Sequence, residues 1–279
     1  VLVGAVITAI IQSSSATTVM VVGFVNSGMM TLNQAIWIIM GANIGTTITG
    51  QLIALNIGEA APLIAFLGVA AVIFSKNEKI KYVGEILAGL GVLFIGMDMM
   101  GTAMAPLADS EKFVSILTKF ENPLLGILAG TVFTALIQSS SASVGILQTL
   151  AGSGVIGLKS AAFVLFGQNI GTCITALLSS IGANKNARRT ALVHLFFNII
   201  GTVFWLIIFG FVQIFIKPAI MNEVATQWGI AVCHSAFNIL CMLLLCPASG
   251  LLEKLVMKLI PEGKTPEHTE ELDERLLAT

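Results

Sequence analysis

Eight long apolar runs, nearly free of charge, dictate what this sequence can fold into. They are Val1–Asn26, Leu32–Asn56, Ala60–Phe74, Tyr82–Leu107, Pro123–Leu150, Leu158–Ile181, Thr190–Ile216 and Trp228–Leu245. A helix of about 20 apolar residues crosses a bilayer, and several runs reach that length. Charged residues make up 10% of the 279-residue chain, against about 25% in a soluble domain. So few charges could not cover a surface in water. The expected fold class is an all-α polytopic membrane protein, with the bilayer as solvent. A net charge of −1 provides no field for binding nucleic acid.

Four of the runs are interrupted, at Gln12–Ser15, Gly41–Thr47, Gln138–Ser141 and Gly167–Thr172. Irregular backbone survives at membrane depth only inside protein or beside a water-filled cavity. The interruptions are therefore expected to be re-entrant hairpins or broken helices. They are also copies of one another. GAVITAIIQSSSA (4–16) returns as GTVFTALIQSSSA (130–142), and GANIGTTIT (41–49) returns as GQNIGTCIT (167–175). One offset of 126 residues relates both pairs, and roughly 22 of 49 aligned positions are identical.

The orientation of the copies follows from positive charge, which marks the cytoplasmic side. Lys76, Lys79 and Lys81 fall in one loop, and Lys185, Arg188 and Arg189 in another. Lys254 and Lys258 follow the last run. Placing all three groups inside sends Leu32–Asn56 outward and Leu158–Ile181 inward. The first QSSS hairpin then enters from the cytoplasm and the second from outside. Two inverted repeats are expected, each with a hairpin tipped by QSSS and a helix broken at GxNIGT, a layout of secondary transporters. Residues 1–107 form the first repeat with connecting helices, and 108–122 an interfacial linker. Residues 123–252 form the second repeat with scaffold helices, and 253–279 a cytoplasmic tail.

A Gln and three Ser inside an apolar run are costly unless they find partners. At a hairpin tip, helix N-termini with free N–H groups and flanking hydroxyls make an anion site. Hydroxyl, amide and carbonyl oxygens suit Na⁺. Small residues that merely let helices pack closely are the competing explanation for an isolated Ser; the doubling of both tracts favours a binding site. No Lys or Arg lies deep in any run, so an anion at mid-membrane would need co-bound cations. Na⁺-coupled transport of a small oxyanion is the expectation.

The paired QSSSATT and QSSSAS tracts, followed by GANIGTT and GQNIGTC, resemble the sodium–phosphate cotransporter family, type II and its bacterial relatives, over nearly the whole chain. The resemblance implies inorganic phosphate as substrate and Na⁺ as coupling ion. It assigns phosphate to Ser13, Ser14, Ser15, Ser139, Ser140 and Ser141. It assigns Na⁺, or a shell shared with phosphate, to Gln12, Asn43, Thr46, Thr47, Gln138, Asn169 and Thr172. The second copy departs at Cys173, where the first has Thr47, so one oxygen ligand is lost. GVLFIGMDMM (91–100) is similar to the family helix that precedes each hairpin; its counterpart before Val1 is expected upstream. The tail resembles the linker to a cytoplasmic PhoU-like domain. A multi-pass location in a bacterial cytoplasmic membrane follows, with no resident cofactor and with a homodimer among the open options.

Smaller signals are His194–Asn198 and His234–Asn238, which share an HxxxN spacing that puts both side chains on one helix face. Structural hydrogen bonding is the favoured reading of both. Asp98, the one acidic residue clearly within a span, is open to a functional reading or to contact with outer water. The cysteines Cys173, Cys233, Cys241 and Cys246 read as small core residues. Two other functions stay open: transport of sulfate or a dicarboxylate, and a membrane phosphate sensor without transport. No GxSxG, HExxH or P-loop tract is present, so no enzyme is expected.

Overall fold

A computed structural model describes residues 1–55, 57–108, 110–216 and 219–262. Asp109, Lys217 and the tail beyond Glu262 lie outside the described residues. Among the described residues fourteen α-helices follow in order. The first half holds α1 (Leu2–Ile11), α2 (Ser14–Asn26), α3 (Leu32–Gly45), α4 (Thr47–Ala54), α5 (Ala61–Phe74), α6 (Glu78–Ala108) and α7 (Glu111–Lys119). The second holds α8 (Pro123–Ile137), α9 (Ser140–Gly152), α10 (Leu158–Gly171), α11 (Ile174–Ser179), α12 (Lys185–Phe211), α13 (Gln227–Leu245) and α14 (Ser249–Leu259).

Among the described residues five segments are long and apolar enough to cross a bilayer: Leu32–Ala54, Glu78–Met104, Leu158–Ser179, Lys185–Ile216 and Gln227–Leu245. The bent pair α7–α8, with 104° between its helices, would make a sixth. Packing agrees with a lipid solvent. Leu2, Phe66, Ile86, Leu136 and Ile207 point outward, whereas Thr8, Asn43, Gln148, Asn198 and Asn238 are almost wholly buried. Apolar outside and polar inside reverses the order of a water-soluble core. The chain is an all-α, multi-pass membrane protein.

Local chemistry sets the helix ends. Thr31 and Gln34 form a capping box at the start of α3, satisfying two otherwise free amides. Asn122 caps α8 with Pro123 at its first turn, where the missing N–H costs nothing. Asn184 caps α12 and Thr226 caps α13.

The chain breaks identically at both QSSS tracts. Gln12 and Gln138 each adopt a left-handed φ of 59°, and Ser13 and Ser139 each cap the helix that follows. Thr8 Oγ1 donates to Thr17 Oγ1 (3.0 Å), and Thr134 and Ser143 share a hydrogen bond of 2.7 Å. Residues nine apart would lie about 13 Å apart along one straight helix. Contact between them means that the chain reverses at each break.

Two ends of the molecule can be traced by hydrogen bonds. At one, Asn184 bonds Asn26, Asn33 bonds Glu253, and Arg189 reaches Ile260. At the other, Leu158 N donates to Glu223 O (3.0 Å), and one cavity gathers Ala54, Gly58, Gly152 and Gln227. The α3–α4 segment therefore runs from the first end to the second, and α10–α11 runs back.

Glycines bring backbones together. A Cβ on Gly4, Gly41 or Gly45 would run into the backbone of the neighbouring helix in the α1–α3 pair, and Gly130, Gly167 and Gly171 do the same for α8–α10. Small residues allow such contact in membranes, where no hydrophobic drive joins helices. Against these pairs pack α12 and α13: α12 touches α2, α3 and α11, while α13 touches α9, α10 and α4. Phe166 stacks on Phe237 at 5.1 Å, and Trp205 Nε1 donates to Phe237 O (3.4 Å), which binds α10, α12 and α13 into one core.

Helix α14 is held by a buried cation. Arg189, 2% exposed, donates from Nε and Nη2 to Ile260 O (2.9 and 2.7 Å), and from Nη1 to Asn186 Oδ1 (2.6 Å) and Glu262 Oε1 (3.4 Å).

Gly41→Ala or Gly167→Ala is expected to lower stability by about 2 kcal/mol through overpacking, read as a lower unfolding midpoint in detergent. Gly23→Ala, where a Cβ meets nothing, should be neutral or slightly stabilising. Arg189→Ala should release the end of α14, seen as faster proteolysis between Leu259 and Glu262, while the apolar core stays folded.

Candidate functional site

Chain reversal at each QSSS break exposes the start of a helix in the protein interior. The first N–H groups of α2 and α9 have no intrahelical partner, and each helix carries roughly half a positive charge at that end. The two starts meet. Ser14 Oγ lies 3.3 Å from Ser140 Oγ, both side chains buried. Thr46 Oγ1, at the junction of α3 and α4, is 3.5 Å from Ser140 Oγ. Residues from both QSSS tracts and one GxNIGT tract thus share one point.

The other candidate serines have narrower roles. Ser13 Oγ accepts from Ala16 N (3.1 Å) and Ser139 Oγ from Ala142 N (3.2 Å), so both serve as helix caps whose hydroxyl protons remain available. Ser141 Oγ donates to Thr49 Oγ1 (3.4 Å), and Thr49 Oγ1 donates to Gln12 Oε1 (2.7 Å). Ser15 is half-buried, and its carbonyl accepts from Thr18. Gln138 is exposed, unlike Gln12.

The GxNIGT tracts sit where two helices meet end to end. Thr47 Oγ1 donates to Ile44 O (2.8 Å). Cys173, in the equivalent place, donates to His194 O (3.4 Å) and accepts from Asn198 Nδ2 (3.2 Å). The residue that departs from the first copy is thus a buried hydrogen-bonding partner. Thr172 is buried with no partner for its hydroxyl. Asn43 Oδ1 lies 3.1 Å from His194 Nε2, and Asn169 Oδ1 accepts from Asn238 Nδ2 (3.3 Å). One residue of each HxxxN pair therefore braces a break: His194 of α12 meets Asn43, and Asn238 of α13 meets Asn169.

With both tips in contact, the site is closed. Donors on opposite sides of one phosphate must stand more than about 5 Å apart, given hydrogen bonds near 2.7 Å on each side. An anion could settle between Ser14 and Ser140 only once the tips part. Several buried oxygen acceptors have no hydrogen-bond partner: Gln148 Oε1, Gln168 Oε1, Asn198 Oδ1 and Asn238 Oδ1. Such neutral oxygens suit a monovalent cation. Among the described residues no group of three or more His, Cys, Asp or Glu is placed to hold a metal ion.

Sequence reasoning left Thr49, Gln148, Gln168 and the Thr8–Thr17 and Thr134–Ser143 braces off the site. Thr49 and Thr8 had a signal, since both recur 126 residues later as Thr175 and Thr134. Gln148 and Gln168 had none, because their counterparts in the first copy are Val22 and Ala42. Asp98 is exposed and lines a cavity at the second end of the molecule, with Gly101 and Thr149.

The same residues lie within a recognisable lineage. The sequence profile of the Na⁺/Pi-cotransporter family matches residues 1–102 and again 95–245. Bacillus subtilis YqeW is 31% identical over 93% of this chain and 84% of its own length. YjbB of Salmonella typhimurium, named as a candidate inorganic phosphate export protein, is 29% identical over 98% of this chain. The chain spans half of YjbB's length. Human sodium-dependent phosphate transport protein 2B is 32% identical over 42% of this chain and 18% of its own. No solved structure matches. With a profile that covers both QSSS tracts and both GxNIGT tracts, the chain belongs to the Na⁺/Pi-cotransporter family.

Proposed function

We propose that this chain is the carrier core of a Na⁺-coupled transporter of inorganic phosphate. The observation that carries the proposal is the meeting of two helix N-termini at Ser14 and Ser140, 3.3 Å apart. Free amides and hydroxyls at that point recognise an oxyanion without a basic side chain. Arg189, the one buried cation among the described residues, is engaged by Ile260 and Asn186 instead. Phosphate charge must then be offset by helix dipoles and by co-bound Na⁺, which makes coupling a consequence of site composition.

In this reading the α1–α2 and α8–α9 pairs are re-entrant hairpins of two inverted repeats. Opposite running directions of α3–α4 and α10–α11 support it, as does the pairing of Asn26, Asn33 and Arg189 at one end. That end carries Lys185, Arg188, Lys254 and Lys258, which suits the cytoplasmic face. Ser14, Ser15, Ser140 and Ser141 contact phosphate, and Ser13 and Ser139 shape the two amide nests. Gln12, Asn43, Thr46, Thr47, Gln138, Asn169 and Thr172 complete the phosphate and Na⁺ shells, and Cys173 takes no cation.

A second reading, net export, draws on YjbB. The two readings share one site and differ in which gradient is larger, since a coupled carrier runs in either direction.

Labelled phosphate flux in proteoliposomes of the full-length parent tests the proposal. Uptake should require an inward Na⁺ gradient, and Ser14→Ala or Ser140→Ala should each lower it roughly 30-fold at low phosphate, the equivalent of one lost hydrogen bond to a charged group at about 2 kcal/mol. Binding without flux would favour the sensor, and flux of sulfate or dicarboxylate in preference would change the substrate.

A further inference from the structure

The two halves of the site match in sequence but not in hydrogen bonding. In the first arrangement Gln12, Thr49 and Ser141 form a chain: Ser141 Oγ donates to Thr49 Oγ1, which donates to Gln12 Oε1. Beside it Thr46 meets Ser140 at 3.5 Å. Shifting each residue by 126 positions gives Gln138, Thr175 and Ser15, with Thr172 beside Ser14. That second set is not joined. Gln138 is exposed, Thr175 Oγ1 donates to the carbonyl of Thr172 (3.1 Å), and Thr172 Oγ1 is buried without a partner. The break at α3–α4 is thus tied to both tips, whereas the break at α10–α11 is tied to neither by these groups.

A second observation locates the tied side. A cavity of about 860 Å³ opens among Ala54, Asp98, Gly152 and Gln227. It shares Ile53 and Met97 with an adjoining cavity of about 400 Å³, whose lining includes Thr49 and Ser141. The cavities on that side of the molecule thus border two of the joined residues, Thr49 and Ser141.

We propose that Thr49 is a positioning residue that latches the site shut towards this cavity, and that Thr175 is its counterpart towards the opposite side. In the state described here the Thr49 latch is closed and the Thr175 latch is open. The reverse state would pair Thr175 with Gln138 and Ser15, and Thr172 with Ser14, which gives the unpartnered Thr172 hydroxyl its role. Two sequence-equivalent latches need alternate only if the hairpins are inverted, so this inference rests on the reading of the repeats given above. Neither threonine is assigned to phosphate or to Na⁺.

The test is sided thiol accessibility in the reconstituted full-length protein. A Ser14→Cys reporter is placed in a background with Cys173, Cys233, Cys241 and Cys246 replaced by Ala, and a membrane-impermeant thiol reagent is added from one face at a time. Thr49→Val should raise the rate of modification from the Asp98 face about tenfold, as two hydrogen bonds are lost. Thr49→Ser, which keeps the hydroxyl, should leave the rate as in the parent. Thr175→Val should shift the balance in favour of the closed Thr49 latch and leave the rate from the Asp98 face unchanged or lower. If Thr49→Val fails to fold, Gln12→Leu removes the same bond from its other end and should give the same rise. Equal changes from both faces, or no change with either Thr49→Val or Gln12→Leu, would overturn the latch. Labelling needs no substrate, and flux is measured separately in the parent with Ser14 intact, so shifted accessibility in the reporter without phosphate flux in that parent would retain the latch and remove the transport reading. Flux with unshifted accessibility would do the opposite.

Discussion

A helix that stops inside a hydrocarbon layer leaves amides and carbonyls that no water can satisfy, and each costs several kcal/mol if left alone. This protein contains such stops at Gln12 and Gln138 and near-stops at Thr46 and Thr172. Much of the interior answers that constraint. Ser13 and Ser139 cap the helices that restart. Thr8 with Thr17, and Thr134 with Ser143, tie the two helices of each pair together. Where the restarting N-termini meet, the same free amides that endanger the fold become the groups that can recognise an anion.

Holding two reversals at one depth requires a rigid frame. The glycines of α1–α3 and α8–α10 provide it by letting backbones touch within each pair. Outside these pairs, α12 and α13 do equivalent work on the two copies. His194 reaches Asn43 at one break, and Asn238 reaches Asn169 at the other. The HxxxN pattern is therefore a brace built twice, which agrees with its structural reading. The braces are not identical, since one break is approached by a histidine and the other by an asparagine.

That inequality recurs throughout the site. Sequence identity between the copies would permit a symmetric arrangement, with Ser14 and Ser140 on the axis. The protein instead joins Thr49 and Thr46 to the opposite tip and leaves Thr175 and Thr172 apart from it. Of two sequence-equivalent sets of hydroxyls, one engages the tips and the other does not.

The sequence by itself determined the solvent, the helical class, the doubling and the four polar interruptions, because composition and a fixed offset of 126 residues are properties of the chain alone. It also pointed to Ser14, Ser140 and Thr46, since repeated polar residues in apolar runs demand partners. Tertiary structure decided which partners they took. No periodicity distinguishes Gln12, bound to Thr49, from Gln138, left exposed, because the two lie in the same local sequence. Nor could spacing reveal that Cys173 would sit between Asn198 and His194, or that Arg189 would turn inward to hold Ile260. Those outcomes depend on which helix lies alongside, and over separations of 21 to 71 residues only packing sets that.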